Sequence, residues 1–272
     1  MKKIILFSIV LLCSVFNSFG QNLQFSQYTY SDLCYITKAQ NGSVFIRKIG
    51  SDEAESISVI IDENGFKKLV NDNYSLFILD GMDQRFISPK IKVSVPVLFP
   101  DGKYRIPDCH MNGRHIKNVT ASSTLTDKYH TYSAEGTLAA WYSGDCDIWG
   151  FVKDCIPWVE GKDDYGIGEY IEFELDYSSY RSNDSDGWII EILNGYVNPE
   201  KPHLYKQNSR IKKASVFADG KKVQDVCFND YVELTNIKIP GNIQKVKIVI
   251  DEVYEGSKYK DTCVTGISAA RY

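Results

Sequence analysis

The chain has 272 residues, of which 43% are hydrophobic and 24% are charged, with 31 basic and 35 acidic side chains. A net charge of −4 excludes the classes of protein that bind nucleic acid or anionic membranes through a basic surface. After the N-terminus no stretch approaches the ~20 apolar residues of a transmembrane helix, so we expect no membrane insertion.

Residues 1–20 have the pattern of an export signal. Two lysines precede an apolar run from 4 to 15, and the small residues Ser18 and Gly20 precede Gln21. We therefore expect a secreted or periplasmic protein that is cleaved after Gly20. Without the two lysines, 29 basic residues face 35 acidic ones, a net charge of 29 − 35 = −6.

Six cysteines remain after residue 20, and an even number in an exported chain favours disulfides. The short separation of Cys146 and Cys155 suggests one pair. The six are Cys34, Cys109, Cys146, Cys155, Cys227 and Cys263.

The first half of the chain is predicted to be a small β-rich domain of unknown role, residues 21–110. Short β-branched and aromatic runs alternate with turn residues, and helical periodicity is scarce. We predict strands at 43–48, 56–61, 75–79 and 90–95, with a turn at Glu63-Asn64-Gly65. A polar stretch without strand signals, 111–118, is predicted to be a linker.

The second half, 119–272, has the pattern of an all-β sandwich or barrel. Asp219-Gly220 is a strong hairpin signal, and Pro240-Gly241-Asn242 makes another tight turn. The predicted strands are 170–176, 187–193, 211–218, 222–228, 234–239, 245–252 and 262–270. The chain as a whole is therefore predicted to be all-β.

Gly166 and Gly168 do not form a phosphate-binding loop, because such a loop opens a helix and these glycines open a strand. Residues 170–175 alternate apolar and acidic side chains, as in a half-buried strand. We predict that Glu172 and Glu174 face solvent.

From about Thr120 onward the chain resembles the discoidin-like (F5/8 type C) domains associated with bacterial NAD glycohydrolases, which are described as translocation or glycan-binding domains. The matching stretches keep their order and spacing: ASSTL at 121–125, WVEG at 158–161, YGIGEYIEF at 165–173, IIEILNGY at 189–196, LYKQNSRIK at 204–212, VFADGKKV at 216–223 and IVIDEVYEGSKYKDT at 248–262.

This resemblance implies a galactose-binding-like jelly-roll sandwich that binds carbohydrate and is not an enzyme. One departure is Thr265-Gly266, where the family commonly runs Asp-Thr-x-x-Ser-Glu into the last strand, so this chain has no acid at position 266. The chain ends soon after the module, and we expect no NAD glycohydrolase domain.

If successive strands run antiparallel, every second connection lies at the same end of the sandwich. Segments 158–169, 194–210, 229–233 and 253–261 then share one end, which we call the loop end. Sugar recognition needs flat apolar faces together with directional donors and acceptors. The candidate ligand-binding residues at the loop end are Trp158, Glu160, Asn194, Tyr196, Asn208, Arg210, Tyr259 and Asp261.

A structural interpretation competes for the same residues. Trp158 is also typical of a core residue, Arg210 of a brace for a loop carboxylate, and Asn194-Gly195 of a turn. The alternation of strand direction also brings Cys227 near Cys263 at the loop end. We therefore predict a disulfide between these two residues, which leaves Cys34 to pair with Cys109.

Other chemistries have weaker support. Asp163, Asp164, Glu160 and Glu169 could supply the two carboxylates of a glycoside hydrolase, but acids in an exposed loop are usually solvated. His110 and His115 beside Cys109 fall short of a zinc ligand set, and the four histidines, which include His130 and His203, are expected at the surface.

Two expectations concern ions and partners. We predict no cofactor, although loop carbonyls and carboxylates are compatible with a structural calcium ion. A glycan is the expected ligand. The alternative is an envelope scaffold in which residues 21–110 dock a protein partner.

Overall fold

A computed structural model describes residues 53–72, 115–141, 156–177, 187–198 and 201–271, together with strand segments between residues 24 and 105. The export signal and the predicted strand at 90–95 fall on residues outside the described ranges. The predicted pairs Cys34–Cys109 and Cys146–Cys155 involve side chains that are likewise outside the described part of the chain.

The N-terminal part is a meander in which each described strand pairs antiparallel with the next. The predicted strands at 43–48, 56–61 and 75–79 are confirmed within one or two residues. The strands are β1 (Gln24–Ser26), β2 (Cys34–Lys38), β3 (Val44–Lys48), β4 (Ala54–Ile61), β5 (Lys67–Val70), β6 (Ser75–Phe77), β7 (Val97–Leu98) and β8 (Tyr104–Arg105).

The turn between β4 and β5 is built on Asp62. Its Oδ1 accepts hydrogen bonds from the backbone N–H of Asn64 at 3.0 Å and of Phe66 at 2.8 Å. Gly65 has φ +86°, a conformation that glycine adopts at little cost. The predicted turn at 63–65 is confirmed.

The C-terminal part carries the remaining described strands. They are β9 (Ile116–Ala121), β10 (Trp158–Val159), β11 (Tyr170–Leu175), β12 (Gly187–Asn194), β13 (Ser209–Ala218), β14 (Lys221–Cys227), β15 (Leu234–Pro240), β16 (Lys245–Tyr254) and β17 (Thr262–Arg271). Seven of these nine form one hydrogen-bonded path in the order β15-β12-β17-β13-β16-β11-β9, whereas β10 pairs with β17 and β14 with β13. A 3₁₀ helix spans Ala134–Trp141 and a short α-helix spans His203–Gln207.

This path folds into a β-sandwich, as predicted. The layers β15-β12-β17 and β14-β13-β16-β11-β9 are joined where β13 and β17 pair in parallel over two residues only, at Ser209 and Arg210. The inner faces of both layers form one core, in which each fully buried large apolar side chain contributes about 1.5–3 kcal/mol. Its members include Phe173, Trp188, Ile190, Val216, Ile237, Ile248 and Ile267.

Strand β9 begins inside the stretch predicted to be a linker, so residues 116–118 belong to the sandwich. Only Ile116 and Val119 are buried in this strand, a spacing of three instead of two. The cause is a bulge opposite β11, where Asn118 has φ +52° and donates from Nδ2 to Glu174 at 2.8 Å. Because the bulge interrupts the alternation of buried and exposed residues, the sequence pattern does not indicate this strand.

The alternation predicted for β11 is confirmed. Ile171, Phe173 and Leu175 are buried, and Glu172 and Glu174 lie on the opposite, partly exposed face. Glu172 is not merely solvated, because Lys245 contacts it at 2.7 Å and Lys247 at 3.3 Å. The Lys245 hydrogen bond is the main reason why the pKa of Glu172 is lowered.

In the parts of the chain that the structure describes, no helix is both long and apolar enough to cross a bilayer.

Candidate ligand-binding site

Hydrogen bonds between the predicted loops show that they meet at one end of the sandwich. Ser209 donates its backbone N–H to the carbonyl of Asp261 at 2.9 Å, and Gly195 donates to that of Cys263 at 3.0 Å. Thr262 donates its hydroxyl to the carbonyl of Tyr165 at 2.8 Å. The prediction that these loops share an end, made from strand parity, is confirmed.

The opposite end carries the short turns, also as predicted. The carboxylate of Asp219 accepts from the backbone N–H of Gln244 at 3.1 Å and of Lys245 at 2.9 Å. These bonds tie the Asp219-Gly220 turn to the start of β16, and they leave the loop end as the surface on which longer segments cluster.

Five of the eight predicted ligand-binding residues have side chains that are buried and committed to the fold. Their exposed fractions are at most 7%, so they do not offer a surface to a ligand. They are Trp158, Glu160, Asn194, Asn208 and Arg210, and their burial and contacts are those that the structural interpretation predicts.

Trp158 is a core residue whose indole N–H donates to the carbonyl of Ser123 at 2.9 Å. Glu160 holds the following loop, because its carboxylate accepts from the backbone N–H of Lys162 at 2.7 Å. Burial raises the pKa of Glu160 even though this bond opposes the effect. Gly166 packs on the same side chain: a Cβ there would lie 2.5 Å from Cγ of Glu160.

Asn194 joins the two layers of the sandwich. Its Nδ2 donates to the carbonyl of Ile211 at 2.7 Å, and its Oδ1 accepts from the Ile211 N–H at 3.0 Å. The side-chain amide therefore takes the place of a neighbouring strand, because Ile211 is buried and its backbone groups need partners.

Arg210 and Asn208 hold the segment around the short helix. The guanidinium of Arg210 is 3% exposed and donates to Asp230 at 2.9 Å, to the carbonyl of Tyr205 at 2.9 Å and to that of Asn208 at 2.7 Å. Asn208 donates from Nδ2 to the carbonyl of Leu204 at 2.9 Å, which caps the helix. These bonds use four of the five N–H groups of the guanidinium, which is almost fully buried.

The other three predicted residues are at least partly exposed and keep polar groups available. Tyr196 and Asp261 are partly exposed, and Tyr259 is 38% exposed. In the described part of the chain the Tyr196 and Tyr259 hydroxyls make no hydrogen bond. The Asp261 carboxylate has only its own backbone N–H as a partner, and burial raises its pKa.

A fifth segment of the loop end, 122–132, borders these residues and was missed by the sequence prediction. It lies against β10, since Leu125 donates to the carbonyl of Val159 at 2.9 Å and Val159 to that of Tyr132 at 3.1 Å. Strand β9 runs toward the loop end, so the segment that follows it had to lie there. Because β9 was not recognised, this consequence was not available from the sequence.

Asp127 organises this segment. Its Oδ1 accepts from the backbone N–H of Tyr129 and of His130, both at 2.7 Å, and these bonds lower its pKa. The Tyr132 hydroxyl donates to Oδ2 at 2.9 Å. Burial, this hydrogen bond and the nearby Tyr196 raise the pKa of Tyr132 to about 12.

Together these residues form aromatic and polar positions at the loop end, which we call the open surface. Tyr129 is its most prominent side chain, with 74% of its area exposed. Tyr196 contributes to the raised pKa of Tyr132. Burial is the main reason why the pKa of Tyr196 is itself raised, and Asp127 contributes to that shift, so the three side chains are neighbours. The open surface consists of Tyr129, Tyr132, Tyr196, Tyr259 and Asp261.

The predicted disulfide between Cys227 and Cys263 is wrong, since both are free thiols. Cys227 ends β14 opposite Lys213 and is exposed, whereas Cys263 pairs with Arg210 in β17 and is fully buried, which raises its pKa. Strand parity correctly placed both residues near the same end, but it does not determine which face each side chain occupies.

The alternative catalytic and metal sites find no support among the described residues. Asp164 accepts from the Gly166 N–H at 2.7 Å and Glu169 from the Ser122 hydroxyl at 2.6 Å, so both acids hold loops. No group of three or more His, Cys, Asp or Glu side chains that could hold a metal occurs in those residues. A structural calcium ion held by loop carbonyls and carboxylates stays a prediction.

The expectation that the histidines lie at the surface is confirmed for His130 and His203 and is wrong for His115. His115 is 6% exposed, and its ring lies 6.1 Å from that of Trp188. His110 lies outside the described residues.

The strands and the open surface define an all-β protein whose C-terminal part is a discoidin-like β-sandwich. The chain belongs to the NAD glycohydrolase translocation F5/8 type C domain family, whose family model matches residues 110–270, more than half of the chain. No curated protein matches the chain.

Among solved structures, the chain is similar to the arabinofuranosyltransferase AftD from Mycobacteria, with a TM-score of 0.38 and 19% identity over 74% of this chain. That match spans only 14% of the transferase. It is also similar to an exo-beta-1,3-galactanase from Phanerochaete chrysosporium solved with beta-1,3-galactotriose, with a TM-score of 0.28, 10% identity, and 92% and 68% of the two chains covered. Neither TM-score is high enough to support an argument.

Proposed function

We propose that the protein is exported and binds a glycan at the open surface without chemical turnover. The observation that carries this proposal is that Tyr196, Tyr259 and Asp261 lie in loops at one end of the sandwich and have polar groups that the fold does not use. Buried or half-buried polar groups are normally satisfied within a protein, so unused ones are available to a ligand.

The chemistry of the open surface suits a sugar. Tyrosine rings offer flat faces for sugar C–H groups, and their hydroxyls donate and accept. The Asp261 carboxylate, when ionised, accepts hydrogen bonds from ligand hydroxyls. Membership of an F5/8 type C family agrees with a binding role.

Binding without turnover is supported by the positions of the acids. A glycosidase needs two carboxylates that face the scissile bond at a fixed separation. Glu160, Asp164 and Glu169 instead accept hydrogen bonds from neighbouring loop groups.

A glycan array probed with the purified protein tests this proposal. We expect binding that weakens in Tyr259→Ala and is unchanged in Val223→Ala, a matched control because Val223 is 45% exposed in β14, away from the open surface. Absence of any bound glycan, or equal loss in both variants, would contradict it. Sugar released from the bound glycan would contradict the non-catalytic part.

Export is tested separately. The N-terminus of the protein recovered from the periplasm or the medium should be Gln21. An intact Met1, or protein found only in the cytoplasm, would contradict export.

A protein partner is the second candidate, and one observation favours it. Three consecutive apolar residues of β4 are 41–49% exposed: Val59, Ile60 and Ile61. Contiguous exposed apolar side chains often mark an interaction surface. If the glycan array is blank, a partner that binds the wild type but not Ile60→Ser would favour the scaffold.

A further inference from the structure

The turn between β4 and β5 lies on the C-terminal sandwich. Val232 donates its backbone N–H to the carbonyl of Gly65 at 2.8 Å, and Phe66 forms a parallel β-bridge with the same residue. Phe66 is 1% exposed and meets the ring of Tyr205 edge-on at 6.2 Å. Lys67 lies 4.9 Å above the ring of Tyr231. The turn thus packs on the loop end at Tyr205, Tyr231 and Val232.

Tyr205 is at the centre of this contact. It is fully buried, and two glycines face opposite edges of its ring. A Cβ on Gly65 would lie 2.8 Å from Cε1, and a Cβ on Gly195 would lie 2.6 Å from Cε2. Side chains do not tolerate such distances, and both glycines have positive φ, so only glycine fits at either position.

Packing, not hydrogen bonding, holds the Tyr205 ring in place. Its buried hydroxyl has no hydrogen-bond partner among the described residues. The ring is instead enclosed by the two glycines, by Phe66 and by the Arg210 guanidinium, whose carbon lies 5.1 Å from the ring centre. A buried hydroxyl without a partner is unfavourable, so removal of one wall should let the ring move toward water.

Gly195, which lies against one edge of the Tyr205 ring, is adjacent in sequence to a residue of the open surface. Gly195 precedes Tyr196, whose hydroxyl is unused by the fold. The Gly195 N–H donates to the carbonyl of Cys263, and the Gly195 carbonyl accepts from the Thr265 hydroxyl at 2.6 Å. A ring pressed against Gly195 on the other side therefore fixes this backbone between β17 and Tyr205.

We propose that the turn Asp62–Lys68 is a positioning element of the sandwich: by pressing Tyr205 against Gly195, it fixes the backbone that carries Tyr196. The N-terminal part thereby contributes to ligand binding without contacting the ligand. The effect on affinity rests on the proposed glycan-binding function, whereas the effect on the backbone does not.

The test compares Gly65→Val with Gly220→Val in the full chain. Both glycines have positive φ, +86° and +80°, so both substitutions strain the backbone. Nothing lies within 4 Å of a Cβ on Gly220, so the difference between the variants reports the contact with Tyr205. Phe66→Ala removes part of the contact between the turn and Tyr205 without backbone strain. This variant replaces Gly65→Val in the comparison if Gly65→Val does not fold.

Hydrogen exchange measured by mass spectrometry gives the readout. Exchange should rise about tenfold or more in peptides that cover 195–198 and 230–233 in Gly65→Val, and stay at the wild-type rate in Gly220→Val. A rise confined to 230–233 would show that the turn docks but does not position Tyr196, and no rise in either would show that it does not dock. Either result overturns the proposal.

Affinity for a glycan found on the array gives the functional readout. It should fall about tenfold in Gly65→Val and not in Gly220→Val. If the array finds no glycan, the proposed function fails and hydrogen exchange alone decides the positioning role. Equal affinity of both variants would overturn the role in binding.

Discussion

Two groups of polar and aromatic side chains at the loop end are used in opposite ways. In the first group, Arg210 and Asp230 form an ion pair, Asn208 caps a helix, and a turn from the N-terminal sheet covers Tyr205. In the second group, on the open surface, Tyr196, Tyr259 and Asp261 are at least partly exposed and have polar groups that the fold does not use. Residue type alone therefore does not show which side chains are available to a ligand, and the better indication is whether the fold already uses each polar group.

This comparison predicts that substitutions of side chains that the fold uses, and of those that it does not use, separate stability from binding. The largest effect is expected for Trp158→Ala, because the side chain is fully buried in the core and its N–H is bonded to Ser123. We expect a loss of about 3–5 kcal/mol in the free energy of unfolding, measured by urea denaturation. Val223→Ala, at an exposed position, should change it by less than about 0.5 kcal/mol. Full stability with lost glycan binding would instead place Trp158 in the ligand site.

The second effect in size is expected for Asn194→Ala. This change leaves the N–H and the carbonyl of Ile211 buried without their partner, at a cost of about 2–4 kcal/mol. Thermal and urea unfolding measure it. Asn194→Asp is a useful comparison: the carboxylate keeps the acceptor and loses the donor, so the cost should also be large. A change within about 0.5 kcal/mol in both variants would show that the amide does not join the two layers.

Much of the fold was predictable because its signals are local. Period-two alternation located β11, and Asp219-Gly220 located the β13–β14 hairpin. Strand β9 was not found, because the bulge at Asn118 interrupts its alternation. Where local signals hold, strand parity then assigns each loop to an end of the sandwich.

The site was only partly predictable, because the partners that decide it are distant in sequence. Asn194 bonds Ile211 across the layers, and Glu160 lies against Gly166 and Thr262. No local pattern shows that these groups are already used. The contact between the turn and the sandwich joins residues that are even further apart in sequence. Gly65 lies against Tyr205, and no pattern within either segment alone indicates this contact.

On the open surface, Asp261→Asn is expected to weaken glycan binding about tenfold to a hundredfold, because a charged acceptor is replaced by a neutral amide. Stability at neutral pH should not fall. Burial raises the pKa of Asp261 above its ordinary value of 3.8, so ionised Asp261 is less favourable in the folded than in the unfolded chain. Its contribution to stability is therefore fully present below pH 3.8 and is lost as the pH rises through the raised folded-state pKa.

The melting temperature of Asp261→Asn relative to the wild type should thus be highest near pH 7 and should approach the wild-type value as the pH falls. Glycan affinity of the wild type should weaken over the same range, because the protonated acid loses its charge. Wild-type affinity that is independent of pH down to about 4 would contradict a role for the carboxylate.

The smallest effect is expected for Tyr196→Phe, which removes one hydroxyl and keeps the ring. Since this hydroxyl has no partner within the described residues, its loss should change the free energy of unfolding by less than about 0.5 kcal/mol. One neutral hydrogen bond to the ligand is worth about 0.5–1.5 kcal/mol, so affinity should fall about threefold to tenfold in titration calorimetry. Tyr177→Phe is the matched control, because the Tyr177 hydroxyl donates to the carbonyl of Ile243 at 2.6 Å and accepts from Trp188 at 3.0 Å. That variant should lose stability and keep affinity, the reverse of Tyr196→Phe, and the same response in both would mean that the open surface is no different from the rest of the fold.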